Sequence, residues 1–247
     1  MRVLLTGASG FIGQNLASEL TPHHELRLFD VAPSDDPRSV VGDVRDLASV
    51  AWAMRGMEAV IHLAIASGHE GDVEDDAFNA LRFDVNVKGT YNVLEAARRC
   101  SVRRVVYTSS LTLCWGYRPD EFIGPDAEAR PVGTYALTKY LGEVMCGQFA
   151  KQFDLSIICL RIAKPIDPDD PHDSFARQQE IPPQWIHMRD LCRAFRLAVE
   201  AADIDFEVIH LVGESSRRRW DLSRAERVLG YRPQFRLEEM GYRFRES

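Results

Sequence analysis

The chain has 247 residues, enough for one large domain or one and a half, with a proper buried core. Its apolar fraction of 45% and charged fraction of 27% are ordinary for a globular protein, and a net charge of −7 argues against a nucleic-acid surface and against anionic membranes. No apolar run approaches the roughly 20 residues of a membrane span, and Met1-Arg2 leads directly into a strand, so neither a membrane segment nor a signal peptide is expected. The five cysteines (Cys100, Cys114, Cys146, Cys159, Cys192) are odd in number and lack paired metal-ligand spacing. Buried thiols in a reducing cytoplasm, with no metal site, are the expectation.

The first apolar run, Val3-Leu4-Leu5, is followed by Thr6-Gly7-Ala8-Ser9-Gly10-Phe11-Ile12-Gly13 and an amphipathic run from Asn15 to Leu20. Strand, glycine turn and helix is the context in which this motif cradles a dinucleotide. Gly7 permits the turn, Gly10 lets the backbone approach a pyrophosphate, and Gly13 lets helix and strand pack closely. The first helical turn, with Phe11 and Ile12, then presents unpaired N–H groups to the phosphates. A strand from Leu26 to Phe29 ends at Asp30, 17 positions past Gly13, near the roughly 20-residue offset of a carboxylate on the adenosine ribose 2′-OH. Such an acid repels a 2′-phosphate, and Val31-Ala32 offers no arginine to receive one, so NAD is expected over NADP.

Strand and helix signals then alternate, which predicts a doubly wound α/β fold: a parallel sheet with helices on both faces. Val40-Val41 reads as a short strand, Asp46 to Arg55 as a helix, and Ala59 to Leu63 as a strand. The acidic segment from Gly68 to Asp76 reads as a solvated surface loop. A long helix is expected over 77–100, with Val87, Tyr91, Leu94 and Ala97 on one stripe. Arg104 to Thr108 is a strand, Thr134 to Gln152 a helix and Ser156 to Leu160 another strand. From Arg161 the texture changes: Lys164 to Pro171 holds three prolines and reads as neither helix nor strand. A helix within 186–202, a strand at 208–212 and a short helix from Asp221 to Leu229, with Asp221 as N-cap, complete the chain. The expected division is a dinucleotide-binding domain over 1–160 and a small substrate-binding part over 161–247, interleaved with late elements of the first.

Tyr135 and Lys139 are four apart on a predicted helix and project from one face. An ammonium near a phenol favours the phenolate, which can then take a proton from a substrate hydroxyl. Ser110 ends the fifth strand at the carboxyl edge, where α/β ligands bind, and can orient the reacting oxygen. No His or Asp pairs with it in hydrolase order, and no nucleophile elbow is present.

With the glycine turn, Asp30, Ser110 and Tyr135/Lys139 in this order, the sequence resembles the extended short-chain dehydrogenase/reductase family, also called NAD-dependent epimerase/dehydratase. Gly42-Asp43-Val44-Arg45-Asp46, His62-Leu63-Ala64, Asn86-Val87-Lys88-Gly89-Thr90 and Leu160-Arg161-Ile162 also look like that family. The resemblance implies a Rossmann-like fold and NAD as cofactor. It implies Asp43 and Val44 beside the adenine, Leu63 and Ala64 along the pyrophosphate and ribose, and Asn86 on the nicotinamide side. Lys139 would hold the nicotinamide ribose as well as tune Tyr135, and Ile162 would join the cofactor contacts. Within that family the sequence resembles uronate dehydrogenases. Gly124 to Pro131 leading into Gly133-Thr134-Tyr135, Leu94 to Arg99 and the tail Trp220-Asp221 through Pro233 look like theirs. Departures fall where substrate is touched. Leu111-Thr112 stands for their Asn-His, Lys164 for a serine, and Arg177 is the nearest counterpart of the carboxylate-binding arginine. Lys164 is expected either to meet an anionic substrate group or to pair with Asp167, Asp169 or Asp170.

Leu111-Thr112 supplies no acid pair, which argues against a dehydratase. About 86 residues follow Arg161, which favours a small-molecule substrate over a nucleotide-sugar. The expected activity is hydride transfer between NAD and a carbinol carbon of a small sugar or sugar acid. The alternatives are a sugar epimerase and a non-catalytic NAD-binding regulator. In this family the helices carrying Asn86 and Tyr135 commonly pair across a two-fold axis. The stripe Leu137, Leu141, Val144, Met145 and Gln148 is therefore expected to serve a homodimer, although core packing also accounts for it.

Overall fold

The apolar runs become strands β1 (Arg2–Thr6), β2 (Glu25–Asp30), β3 (Ser39–Val41), β4 (Ala59–His62), β5 (Arg104–Ser110) and β6 (Ser156–Ile162). Later come β7 (Pro165–Ile166), β8 (Glu180–Ile181), β9 (Ile186–His187), β10 (Phe206–Leu211) and β11 (Arg243–Phe244). The computed structural model describes residues 1–69 and 72–245. Glu70 and Gly71, inside the acidic segment predicted as a loop, lie outside the described residues.

Seven strands form the main sheet in the order β10-β6-β5-β4-β1-β2-β3, every pairing parallel. Strands buried on both faces need continuous apolar runs, and every residue of β4 and β5 is buried. Helices α1 (Phe11–Leu20), α2 (Leu47–Met54), α3 (Asp76–Arg82), α4 (Gly89–Arg99), α5 (Thr134–Gln152), α6 (Met188–Glu200) and α7 (Ser223–Leu229) flank it. One core joins α1, α6 and α7 to the sheet through Leu16, Leu20, Phe195 and Leu229. The other joins α2, α4 and α5 through Val50, Met54, Leu94 and Cys146. β1 lies between β2 and β4, so the loops leaving β1 and β4 diverge at a topological switch point on the carboxyl edge.

β10 and α6 come from beyond residue 161 yet complete the main sheet and one of its helical layers. What remains of the C-terminal part is two small parallel pairings, β7 with β9 and β8 with β11, around Ile166, Ile181 and Leu237. The buried Asp190 of α6 holds the tail by accepting from the N–H groups of Gln234 at 2.9 Å and Phe235 at 3.0 Å. All five cysteines are free, and four of them are buried.

Four local expectations are corrected. The helix expected over 77–100 is α3 and α4 joined by a π-helical turn, Phe83–Lys88. Of the expected stripe, Leu94 and Ala97 are buried, while Val87 is half-buried and Tyr91 exposed, edge-on to Phe149 at 6.1 Å. Pro165-Ile166 does form a strand, because the edge bond runs from the Ile186 N–H to the Lys164 carbonyl at 3.1 Å and needs no donor from proline. Asp221 is not the cap of α7. It accepts from the Ser223 N–H at 2.7 Å, one residue ahead of the N-cap Leu222. The acidic segment is not merely solvated: Asp75 caps α3 through the Phe78 N–H at 2.8 Å, and Glu74 reaches α5.

Candidate active site

Gly7, Gly10, Asp30, Asp43, Val44, Leu63 and Ala64 line one cleft of about 460 Å3 at the switch point. Gly7 has φ +71°, and a Cβ there would lie 2.7 Å from the Ala64 nitrogen, so the two diverging loops meet only because this residue is glycine. A Cβ on Gly13 would collide with the Gly7 carbonyl, whereas Gly10 leaves its face toward the cleft open. Asp30 accepts from the N–H groups of Ser9 at 2.9 Å and Ala32 at 3.0 Å, which fixes its carboxylate at the rim. An open glycine backbone, a helix start and a fixed acid fit a dinucleotide with a free ribose 2′-OH. Arg45 chelates Asp43 in the same cleft, with an Nη2–Oδ2 distance of 2.6 Å, and lowers that carboxyl's pKa.

Phe11 is partly exposed beside the glycine turn, while Ile12 packs toward the core. Asn86 is buried outside the cleft lining. Its Oδ1 accepts from the Ala66 N–H at 2.9 Å and its Nδ2 donates to Thr138 Oγ1 at 3.0 Å, so it ties the loop after β4 to α5. Ile162 ends β6 opposite Ser110.

Ser110 ends β5, and its Oγ accepts from the Thr112 N–H at 3.2 Å and lies 3.0 Å from Thr112 Oγ1. That capping interaction turns the chain through the short 3-10 segment Leu111–Cys114. Tyr135 enters from the first turn of α5. Burial raises the phenol pKa, and the Ser110 hydroxyl and the Arg82 charge oppose that rise without cancelling it. Lys139 is buried one turn further on; its Nζ donates to the Thr108 carbonyl at 2.7 Å and lies 5.9 Å from the Tyr135 ring centroid. The Lys139 ammonium lies on the face of the Tyr135 ring, and the Arg82 charge also favours the phenolate.

Burial lowers the Lys139 pKa from 10.5 to about 7. The folded protein therefore binds fewer protons than the unfolded chain between those values, and stability rises with pH across that window. Lys139→Met is expected to flatten this slope and to stabilise the NAD-free protein at neutral pH by about 1–3 kcal/mol. Thermal unfolding of both proteins from neutral to alkaline pH checks this, and parallel pH profiles would contradict it.

Of the residues predicted to meet substrate, Leu111 is buried and Thr112 half-buried. The Lys164 ammonium lies 4.1 Å from the Phe175 ring centroid. Among the described residues it pairs with no carboxylate, and Asp169 pairs with Arg189. Burial lowers the Lys164 pKa. Arg177 is exposed near Phe175, which packs edge-on to Trp185 at 5.8 Å.

Three features escaped sequence reasoning. Glu143 Oε2 accepts from Arg161 Nη2 at 2.8 Å and its Oε1 from Ser109 Oγ at 2.5 Å, joining α5, β5 and β6 behind the site. The signal was present, since Glu143 continues the four-residue spacing of Tyr135 and Lys139. His62 bridges Thr6 and Thr90 at 2.7 and 3.0 Å, and burial lowers its pKa to about 3, so it is neutral. Arg82 is the third, and nothing in its local sequence marks it.

A glycine turn at the switch point of a parallel sheet, with serine, tyrosine and lysine gathered at the same edge, defines a dinucleotide-dependent α/β enzyme. The family described as NAD dependent epimerase/dehydratase matches residues 3–182; the chain belongs to it, and its cofactor is NAD. It is 31% identical to the NAD-dependent glucose-6-phosphate dehydrogenase of Haloferax volcanii, covering 94% of this chain and 92% of that one. It is 29% identical to the uronate dehydrogenase of Pseudomonas syringae pv. tomato, over 94% and 81%. Among solved structures it is similar to MoeE5 in complex with UDP-glucuronic acid and NAD, with TM-score 0.82, 25% identity, and coverage of 98% of this chain and 97% of that one. The chain is an NAD-dependent dehydrogenase or epimerase. No helix among the described residues is long and apolar enough to cross a membrane.

Removal of the Asp30 carboxylate has a defined consequence for cofactor choice. Calorimetry is expected to show a clear preference for NAD over NADP, and Asp30→Ala is expected to narrow the gap. Comparable dissociation constants in the unaltered protein would contradict the role given to Asp30.

Proposed function

We propose that the protein oxidises a carbinol of a sugar or sugar-acid-like substrate, with Tyr135 as general base, Ser110 orienting the reacting oxygen and Lys139 holding the nicotinamide ribose. The observation that carries this is the gathering of Ser110 at the end of β5, Tyr135 in the first turn of α5 and Lys139, whose Nζ lies 5.9 Å from the Tyr135 ring centroid and donates to the Thr108 carbonyl at 2.7 Å, two residues before Ser110. NAD, when bound, accepts the hydride that leaves the carbinol carbon. Ser110 holds the hydroxyl oxygen, and Tyr135 takes its proton as the C–O bond becomes a carbonyl. Leu111 and Thr112 offer no acid to expel water, which keeps the chemistry at hydride and proton transfer. Relatives of similar length named for glucose-6-phosphate and uronate support an anionic sugar.

A second reading, a nucleotide-sugar substrate, is favoured by one observation. A cleft of about 390 Å3 beside Leu111 is lined by Trp115, Tyr117, Trp220, Arg217 and Arg219, which suits an aromatic and anionic group. Chain length does not count against it, since MoeE5 is nearly coextensive with this chain. Anaerobic incubation with NAD and a panel of aldoses, sugar phosphates, uronates and nucleotide-sugars separates the readings. Net NADH identifies a dehydrogenase, product without NADH an epimerase, and silence a regulator.

The same reading includes a homodimer. Leu137, Tyr140 and Val144 of α5 expose 41, 38 and 42% of their surface, and Tyr91 of α4 lies exposed on the neighbouring helix. Leu141 and Met145 are half-buried, so only part of the predicted stripe is free to pair. Light scattering at micromolar concentration is expected to give twice the chain mass, reduced to one by Val144→Glu. A monomer mass for the unaltered protein refutes it.

A further inference from the structure

The segment after the cleft-lining loop, Asp72 to Arg82, is built as a clamp on the head of α5. Glu74 accepts from the Thr134 N–H at 3.2 Å, at the residue before Tyr135. Gly133, with φ +83°, makes room for that carboxylate: a Cβ there would stand 3.0 Å from Glu74 Oε1. Asn79 Nδ2 donates to the Glu74 carbonyl at 2.9 Å. Arg82 closes the arrangement. Its Nη1 donates to the Val73 carbonyl at 2.5 Å and to Asn79 Oδ1 at 3.0 Å, and it lies 3.5 Å from Glu74 Oε1. The guanidinium stacks 4.4 Å from the Phe78 ring centroid, and His69 stacks on the same ring at 4.3 Å. Arg82 is buried, an unusual place for an arginine with so partial a carboxylate contact.

Around Tyr135 stand Ser110 and Tyr107 of β5, Lys139 of its own helix with Nζ 5.9 Å from the ring centroid, and Arg82 of α3, which lies 3.5 Å from the Glu74 carboxylate that accepts from the residue before Tyr135. Burial lowers the Lys139 pKa. An arginine does not lose its charge near neutral pH.

We propose that Arg82 is a positioning residue for Tyr135: it clamps Glu74 onto the first turn of the tyrosine's helix and keeps a permanent positive charge beside the phenol. This rests on the reading of Tyr135 as general base, but its test needs no substrate. The tyrosinate absorbance of the NAD-saturated protein is titrated, and the curve for Tyr135→Phe is subtracted to isolate Tyr135. Arg82→Gln is expected to move the isolated titration upward by about one pH unit, roughly a tenfold change in the ionisation constant. Arg82→Lys, which keeps the charge, is expected to recover most of that shift, and NAD affinity is expected to be unchanged in both. An unshifted titration in Arg82→Gln overturns the proposal, as does a shift that Arg82→Lys fails to recover. Should Arg82→Gln not fold, Glu74→Ala tests the clamp alone. It is expected to speed amide exchange at Thr134 and Tyr135 by about fivefold or more, the loss of one helix cap. Unchanged exchange overturns it. Silence across the sugar panel with a shifted titration would sink the dehydrogenase and leave the clamp standing; turnover with an unshifted titration does the reverse.

Discussion

Tyr135→Phe is expected to abolish turnover while leaving NAD binding nearly intact. The substitution removes one oxygen from a ring that stays packed in the first turn of α5, so the cleft formed by Gly7, Asp30 and Ala64 keeps its shape. What disappears is the group proposed to take the substrate proton, and such groups are worth about 10²–10⁴-fold in rate. Because burial already raises the phenol pKa, the rate of the unaltered enzyme is expected to climb with pH through neutrality. The residual rate of Tyr135→Phe should lack that limb. Retention of more than about a tenth of the activity would remove Tyr135 from the role of general base. Lys139→Ala should differ, lowering both turnover and NAD affinity, since its ammonium is assigned to both.

The second large effect is on stability. Glu143→Ala is expected to cost about 3–5 kcal/mol, the usual result of stranding one charge of a buried pair. Burial disfavours the Arg161 guanidinium, and chiefly the bonds and charge of Glu143 outweigh it and raise its pKa. The other neighbours of Arg161 offer little: the Ala127 carbonyl at 3.1 Å and His210 Nε2 at 3.3 Å, an imidazole whose pKa burial lowers to about 3. Ser109 loses its acceptor in the same step, and Ser110 is the next residue. The double variant Glu143→Leu/Arg161→Met should regain most of the loss, because it removes both charges at once. Denaturant unfolding of the three proteins measures this. A single-variant cost below about 1 kcal/mol would place the pair among weak surface contacts instead.

How far the fold was legible depended on whether its cause was local. The first strand, glycine turn and helix could be read because each glycine answers a steric demand made within a few residues. Tyr135 and Lys139 could be read because four residues is a helical turn wherever it occurs. The π-helical turn could not: Phe83 to Lys88 carries ordinary helix formers, and the extra residue is held by Asn86 reaching Ala66 on one side and Thr138 on the other. The strand at Pro165-Ile166 was hidden for a similar reason. Proline forbids a donor, but whether a donor is needed depends on the partner, Ile186, some twenty positions away. Arg82 and Glu74 look like any two surface charges, one on a helix and one in the loop before it. Their meaning comes from the head of α5, which arrives there only after the chain has crossed the sheet.

That π-helical turn also decides where the chain can change length. α3 and α4 form a single rod, and the surplus residue is wound into the wide turn between them. Deleting one residue between Phe83 and Lys88 would close that turn to ordinary α geometry with the faces of α3 and α4 little changed, losing only the place from which Asn86 reaches Ala66 and Thr138. A deletion inside α4 has no wide turn to close and would rotate one end of the rod against the other by about 100°, setting the buried Leu94 and Ala97 against the buried Phe78 and Arg82.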